Sequence, residues 1–335
     1  MRAGAKDEQG AALLTVLLLV AVMAVIAATA LDRLTLATRI AGSAATVDQG
    51  RAYSFAAEQI ALGRVADLVG RDPAKLTLAG DWLGRDFVLP LPGGEGRARL
   101  TDASNCFNLN SLVAETLPGR LTQRMGAQRQ FAALMTLLGI EDGEAQAIAG
   151  AAADWIDSDS NEGRLGAEDN VYRSLPGAYL PANRKMAHVS ELRAVRGVSA
   201  KLYAQLEPWV CVLPTTDPVK LNVNTLAAWQ APLVAMLWPG EIDVRAARAA
   251  LAARPAGGYG SSVRFWEASA FDRRKPPDDV AEQAAVTSRW LVLTTNVTMG
   301  DGFLTAVSLI DANGGAPSVG TAPPVIVRRD WGESD

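Results

Sequence analysis

Residues 10–31 read GAALLTVLLLVAVMAVIAATAL, and the 21 positions 11–31 carry no charge. At 1.5 Å of rise per residue, a helix of that length covers about 30 Å, the thickness of a bilayer's hydrocarbon core. Ten largely polar residues, MRAGAKDEQG, stand in front of it and end in Gly10. Behind it the helical pattern does not stop. Leu34, Leu36, Ile40, Val47, Tyr53, Phe55, Ile60, Leu62, Val65 and Leu68 recur at roughly helical spacing, interleaved with Asp32, Arg33, Arg39, Asp48, Arg51, Glu58 and Arg64. The stop signal comes only at Gly70-Arg71-Asp72-Pro73. One helix over 11–70 is therefore expected, apolar first and amphipathic after.

Three processing routes suit this layout. A cleaved secretory signal would use Ala28-Thr29-Ala30 as its small-x-small site. A plain signal anchor would keep the segment whole. A pilin-type precursor would be cut between Gly10 and Ala11, leaving the apolar stretch as the new N-terminus. Gly10 stands at the junction of polar and apolar residues and the helix runs on past Leu31, which favours the third route. A pilin subunit usually carries Glu as the fifth residue after the cut; here that residue is Thr15.

The remainder of the 335 residues is ample for a buried core. The net charge of −4 is dispersed and contains no basic block, which argues against nucleic acid or anionic lipid as the main partner. His188 is the only histidine, so a multi-histidine zinc site is excluded and Ser-His-Asp chemistry is disfavoured. Cys106 and Cys211 either form one disulfide, closing a loop of about 100 residues, or stay as two buried thiols; export would favour the bond.

Strand signals flank a helical block. Asp86–Leu91 is short and mostly apolar, 92–96 (PGGEG) reads as a turn, and 97–100 alternates as a hairpin partner would. From Asn105 to about residue 284 helical spacing dominates, including helices over 226–238, bent or broken at Pro232, and over 242–251. Then 290–299 and 303–310 are strand-like, split by Gly300-Asp301-Gly302, and 325–327 suits a last strand. The economical reading is one sheet packed on the N-terminal helix, with a helical domain inserted into it.

The strongest local signal is 153–172, ADWIDSDSNEGRLGAEDNVY, with Asp154, Asp157, Asp159, Glu162, Glu168 and Asp169 crowded around the single cation Arg164. Such a cluster repels itself unless it is solvated or holds a cation. The candidate ligands are Asp157, Asp159, Asn161, Glu162, Glu168 and Asp169, hard oxygen donors that suit Ca²⁺. Asp157, Asp159, Asn161 and Glu168 match positions 1, 3, 5 and 12 of an EF-hand loop, but Gly163 falls one place late and Arg164 stands where an aliphatic residue belongs. A calcium loop of another type, with ligands from more than one segment, and a solvated acidic loop fit the residues about equally; a catalytic carboxylate pair fits less well.

Residues 189–208 (VSELRAVRGVSAKLYAQLEP) resemble a helix-hairpin-helix unit, with Ser190 able to cap and Gly197 in the turn. Its few basic residues favour a packing role over contact with a DNA backbone. Two Asn-x-Asn motifs, Asn108-Leu109-Asn110 and Asn222-Val223-Asn224, each precede a helix and lie near a cysteine, as capping side chains would where two chain segments run side by side.

Taken together, Gly10-Ala11-Ala12-Leu13-Leu14, Cys106-Phe107-Asn108-Leu109-Asn110, Asp154-Trp155-Ile156-Asp157-Ser158-Asp159, Gly166-Ala167-Glu168-Asp169, Ser190-Glu191-Leu192-Arg193 and Leu221-Asn222-Val223-Asn224-Thr225 make the chain resemble the K-type minor pseudopilins of type II secretion systems. That family lacks the pilin Glu, in keeping with Thr15. The resemblance implies an α+β pseudopilin fold, a long N-terminal helix on a small antiparallel sheet, with a large all-α domain inserted in the sheet. It divides the chain into a leader (1–10), the transmembrane and amphipathic helix (11–70), the first part of the sheet (71–104), the inserted domain (105–285) and the remaining strands and tail (286–335). It further implies calcium in the insertion, no catalytic activity, and a place at the pseudopilus tip beside the I and J minor pseudopilins. The inner-membrane assembly platform, the prepilin peptidase and, through 11–31, the lipid bilayer would be the other partners, with a single pass of the inner membrane and the large domain in the periplasm. The rival reading is a signal-anchored periplasmic protein using its hairpin to bind DNA in uptake.

Overall fold

The computed structural model describes residues 5–80, 82–218, 220–272, 274–300, 302–315 and 322–332, with the backbone alone for 5–10. The first four leader residues and Asp301 of the expected hairpin turn lie outside the described residues.

Helix α1, Ala5–Arg71, is unbroken over 67 residues, about 100 Å at the standard rise. It has two regimes. Over 11–49 no residue is buried, and Leu14, Leu18, Val25, Ile26 and Leu34 are all exposed. From Gly50 onward a stripe of Ser54, Ala57, Glu58, Ala61, Val65 and Val69, at spacings of three and four, is buried.

That stripe packs on one face of a five-stranded antiparallel meander: β1 (Asp86–Leu91), β2 (Gly94–Asp102), β3 (Trp290–Met299), β4 (Gly302–Asp311) and β5 (Val325–Trp331), in that spatial order. Leu91 pairs with Gly94, so the first hairpin closes through Pro92-Gly93 alone. Gly93 has φ +79°, the left-handed geometry that a Pro-Gly turn demands of its second residue. β1 and β3 have the bounds the sequence pattern indicates, while β2, β4 and β5 run longer; β5 reaches Trp331, and its side chains pair with α1. Arg329 Nε donates to Glu58 Oε1 at 2.6 Å, Ser308 Oγ donates to the same oxygen at 2.6 Å, and the Arg329 guanidinium lies over the Phe55 ring. Ala61, Val65, Val69, Ala98, Leu100, Leu291, Leu293 and Ile310 form the core between helix and sheet.

The insertion leaves β2 at Asp102 and returns at Trp290 into the adjacent strand. Gly50 lies against Leu304, and Gly302 against Thr46. Val65 and Val69 share a core with Leu291 and Ile310. The insertion therefore sits at the end of the sheet remote from the exposed part of α1.

Helices dominate the insertion: α2 (Met125–Leu137), α3 (Asp142–Ile156), α4 (Asp169–Ser174), α5 (Ala200–Leu206), α6 (Ala231–Ala235) and α7 (Val244–Ala252), joined by shorter turns. It also contains small strand pairings that helical spacing conceals. Phe107–Asn108 runs parallel to Val210–Cys211, and Leu221–Asn222 runs parallel to Ala284–Ala285. Val113–Leu117 and Arg120–Gln123 form a hairpin through Pro118-Gly119, with Gly119 at φ +78°. Pro232 does not break a helix. It lies in the first turn of α6, where its missing N–H costs nothing. Asp243 caps α7 by accepting from Ala246 N at 2.7 Å.

Candidate metal centre

The two Asn-x-Asn motifs do the same work twice. Asn108 Oδ1 accepts from Asn110 N, and Asn222 Oδ1 accepts from Asn224 N. Asn110 then brackets one backbone unit, donating to Met186 O at 3.0 Å and accepting from Met186 N at 2.8 Å. Asn224 brackets Tyr259 in the same way, at 3.0 and 2.6 Å. All four side chains are buried. They satisfy backbone groups that no ladder reaches. The motifs thus hold each short strand beside a returning segment, as the sequence suggests, and each closes its own unit: 107–211 and 221–285.

In the first unit the short strands are also bonded through Cys106 and Cys211, with Cα atoms 5.8 Å apart. The second unit closes instead on packed rings, Tyr259, Phe265, Trp266 and Phe271.

The first unit holds a buried acidic pocket. Asp154 and Asp157 project from one side of the end of α3, three residues apart, and Glu168 immediately precedes α4. Each offers an oxygen within 4.8 Å of the others, and all three residues are buried. Gln123, at the end of the second hairpin strand, clamps the first two: its Nε2 donates to Asp154 Oδ1 at 2.5 Å and to Asp157 Oδ2 at 2.8 Å. Its own Oε1 accepts from Gln128 Nε2 at 2.9 Å. Gly163 N donates to the Asp154 carboxylate at 3.1 Å. Glycine is required in this loop because a Cβ at Gly166 would fall on that carboxylate.

These donors leave oxygens over. Asp157 Oδ1 and both oxygens of Glu168 are buried with no hydrogen-bond partner. Among the described residues no lysine or arginine forms a salt bridge with any of the three carboxylates. Burial is the first cause that raises all three pKa values; for Glu168 the charges of Asp154 and Asp157 follow. Asp157 is pushed up to about 6 and Glu168 to about 7. Orphaned carboxylate oxygens in an all-oxygen site with surplus negative charge fit a hard divalent cation, and the donor set suits Ca²⁺.

The other expected ligands lie elsewhere. Asp159 is exposed and accepts from Asn161 N and Nδ2, both at 2.8 Å, in a local turn. Glu162 is exposed. Asp169 pairs with Arg173 at 2.7 Å one helical turn on. The structure brings together Asp157 and Glu168 of the expected set and adds Asp154 and Gln123. Asp154 was legible as the i−3 neighbour of Asp157 on a helix; Gln123 sits in the hairpin whose Pro-Gly turn was the available signal.

The 189–208 segment forms a six-residue 3₁₀ turn, Val189–Ala194, and then α5, with Gly197 at φ +88° between them. Ser190 does not cap it. The turn starts two residues earlier than a Ser190 cap would place it, with His188 at the cap position, and Glu191 Oε1 accepts from Ala187 N and His188 N. Gly197 faces Ile148 of α3, and Arg196 donates to Gly166 O at 2.9 Å. The hairpin turn is thus directed inward, toward the acidic loop.

Of the processing positions, Gly10 lies within the backbone of α1 and Ala11 is exposed on it. The helix beginning at Ala11 is long and apolar enough to cross a membrane, by length and composition.

Residues 105–215 and 221–288 each match a family described as Type II secretion system (T2SS), protein K. The two matched spans coincide with the two Asn-x-Asn units. Type II secretion system protein K of Pectobacterium carotovorum is 33% identical over 92% of this chain and 93% of its own length. The protein of the same name from Aeromonas hydrophila is 37% identical over 76% and 78%. Among solved structures, a chain of the GspK-GspI-GspJ complex from enterotoxigenic Escherichia coli superposes with a TM-score of 0.73 at 29% identity, covering 87% of this chain and 99% of that one. The long helix, the five-stranded sheet and the two-unit helical insertion are therefore those of a minor pseudopilin, and the chain belongs to the type II secretion system protein K family.

Proposed function

We propose that this chain occupies the tip of a type II secretion pseudopilus, where it starts assembly with I- and J-type minor pseudopilins and supports export across the outer membrane. It acts as a structural component, without catalysis. The observation that carries this reading is the seat of the insertion at the end of the sheet remote from the exposed half of α1. A subunit stacked above would have to displace that body. Thr15 agrees with the placement: it bonds only to its own helix, donating to Ala12 O at 2.8 Å, and offers no carboxylate to an incoming N-terminal amine.

In this reading the prepilin peptidase cuts after Gly10 and the assembly platform receives the subunit. The 11–31 segment first tethers it in the inner membrane, with the large domain in the periplasm, and later packs among neighbouring helices. Calcium, held by Asp154, Asp157 and Glu168, neutralises the buried pocket. The support is the orphaned oxygens of Asp157 and Glu168.

The test is to label this subunit on assembled pseudopili, for example by immunogold against the helical insertion. Label at one end supports the reading; label repeated along the shaft overturns it. N-terminal sequencing of the mature chain should start at Ala11; a start at Leu31 would refute the pilin-type processing. Terbium should bind the pocket and luminesce on excitation of Trp155 and Tyr172, whose rings are 5.3 Å apart beside it, and Asp157→Asn should abolish the signal.

A further inference from the structure

We propose that Arg196 is a positioning residue that couples cation binding in the acidic pocket to the order of the 189–206 hairpin; this rests on the calcium reading above. Arg196 makes two holds. Its guanidinium Nη1 donates to Gly166 O at 2.9 Å, and its backbone N donates to Tyr172 Oη at 3.2 Å. Gly166 lies two residues before Glu168 and Tyr172 four residues after it, so one residue pins the chain on both sides of the pocket's third carboxylate. The guanidinium bonds to a carbonyl and to none of the three carboxylates. Its role is therefore placement of the loop; it does not neutralise the pocket.

The loop has few other ties. Gly166 N closes a turn on Gly163 O at 3.0 Å, Gly163 N and Ala167 N reach the Asp154 carboxylate, and Leu165 stands at φ +62°. A non-glycine residue in that region persists only where its surroundings hold it. Two elements hold it: Gly150 of α3 lies directly against the Arg164 and Leu165 carbonyls, and the hairpin's Gly197, next to Arg196, lies against Ile148 on that same helix, the one that carries Asp154 and Asp157. Without a cation, three like charges within 4.8 Å push Glu168 away from α3. Movement in response to that repulsion falls on 163–168, and that segment is fastened to Arg196. With the cation, Glu168 is drawn in, the Gly166 carbonyl is presented to Arg196, and the hairpin is fixed.

The experiment uses the full chain in detergent micelles, with calcium titrations and hydrogen–deuterium exchange in calcium and in EGTA. In the unsubstituted chain calcium should slow exchange in 160–172 and also in 190–206. Arg196→Met should weaken calcium binding by roughly 10- to 100-fold, the usual cost of removing an outer support of a metal site. At saturating calcium that variant should still protect 160–172 while 190–206 no longer responds. Tyr172→Phe, which removes the second hold only, should reduce the hairpin's response and keep binding within a few-fold. Calcium bound with 160–172 protected and 190–206 unchanged in the unsubstituted chain would overturn the coupling and leave the metal reading standing. No calcium binding by the unsubstituted chain would overturn the metal reading, and the coupling with it.

Discussion

The two Asn-x-Asn units of the insertion share one closing device and differ in what fills them. In each, one Asn orders the next and the second brackets a distant backbone unit, Met186 in the first and Tyr259 in the second. In each, an arginine also ties down carbonyls near the motif: Arg124 donates to Ser111 O and Thr216 O, and Arg254 to Val223 O and Leu226 O. Beyond that they part. The first unit spans a long excursion, carries the Cys106–Cys211 bond and contains a charged pocket. The second is shorter and fills its interior with Tyr259, Phe265, Trp266 and Phe271. A unit whose interior is aromatic has no surplus charge to answer. The one with three buried carboxylates carries a crosslink as well and, on the calcium proposal, a cation.

The largest effect that would sharpen this contrast is loss of the disulfide. A bond across 105 residues should contribute about 4–5 kcal/mol on the chain-entropy account. Cys106→Ser with Cys211→Ser should therefore lower the denaturation midpoint and speed hydrogen exchange in 107–211 more than in 221–285. Equal softening of both units would break the contrast.

The asparagines should come next, and here the units should behave alike. Asn110→Ala leaves Met186 N, Met186 O and Leu213 O without partners. Asn224→Ala leaves Tyr259 N and O. Orphaned buried groups cost about 1–3 kcal/mol each, so both variants should lose about 3–4 kcal/mol by chemical denaturation, with Asn110→Ala the worse. A near-neutral result for one would mean that the two motifs are not equivalent.

Chelation should separate the units again, by about 2–3 kcal/mol where free calcium stands near 100 times its Kd. The ion-free chain should also show an inverted pH response. Asp157 and Glu168 rise from 3.8 and 4.5 to about 6 and about 7, so the folded state holds protons that the unfolded state has released. Their contribution is complete below about pH 4 and is lost as pH rises through 6 and 7. In EGTA the melting temperature should therefore fall between pH 5 and 7.5, and calcium should remove that fall. A flat profile in EGTA would mean that the pocket is satisfied without an ion. Thr15→Glu should be the mildest change to the folding of the sheet and insertion, within about 0.5 kcal/mol, because residue 15 lies on the part of α1 that packs against neither.

Much of this architecture was legible in the residues. The apolar run and its amphipathic continuation specify α1, because helical period and the lack of an early breaker are local properties. The sheet was legible from alternation and from turns such as Pro92-Gly93. The Val113–Leu117 and Arg120–Gln123 hairpin escaped because its strands are short and flanked by helical spacing, and with it escaped Gln123. The metal pocket was half legible. The sequence points to ligands from more than one segment, and folding assembles the pocket from a helix end, a loop and a hairpin. The candidate ligands all came from one acidic stretch, however, which drew in Asp159, Asn161, Glu162 and Asp169. Glu58 shows the same limit: nothing near it in sequence announces that its partner is Arg329.

That last pair has a temporal side. Synthesis delivers Glu58 271 residues ahead of Arg329, a wait of roughly 15–55 seconds at ribosomal speed. Throughout that interval α1 has no final strand to lie against, and its carboxylate stays hydrated. The sheet face that grips the helix can be finished only after both Asn-x-Asn units have been made, so an insertion that stalls leaves an open edge and an unclasped stem. Completion of the last strand is thus a built-in report that everything before it has emerged.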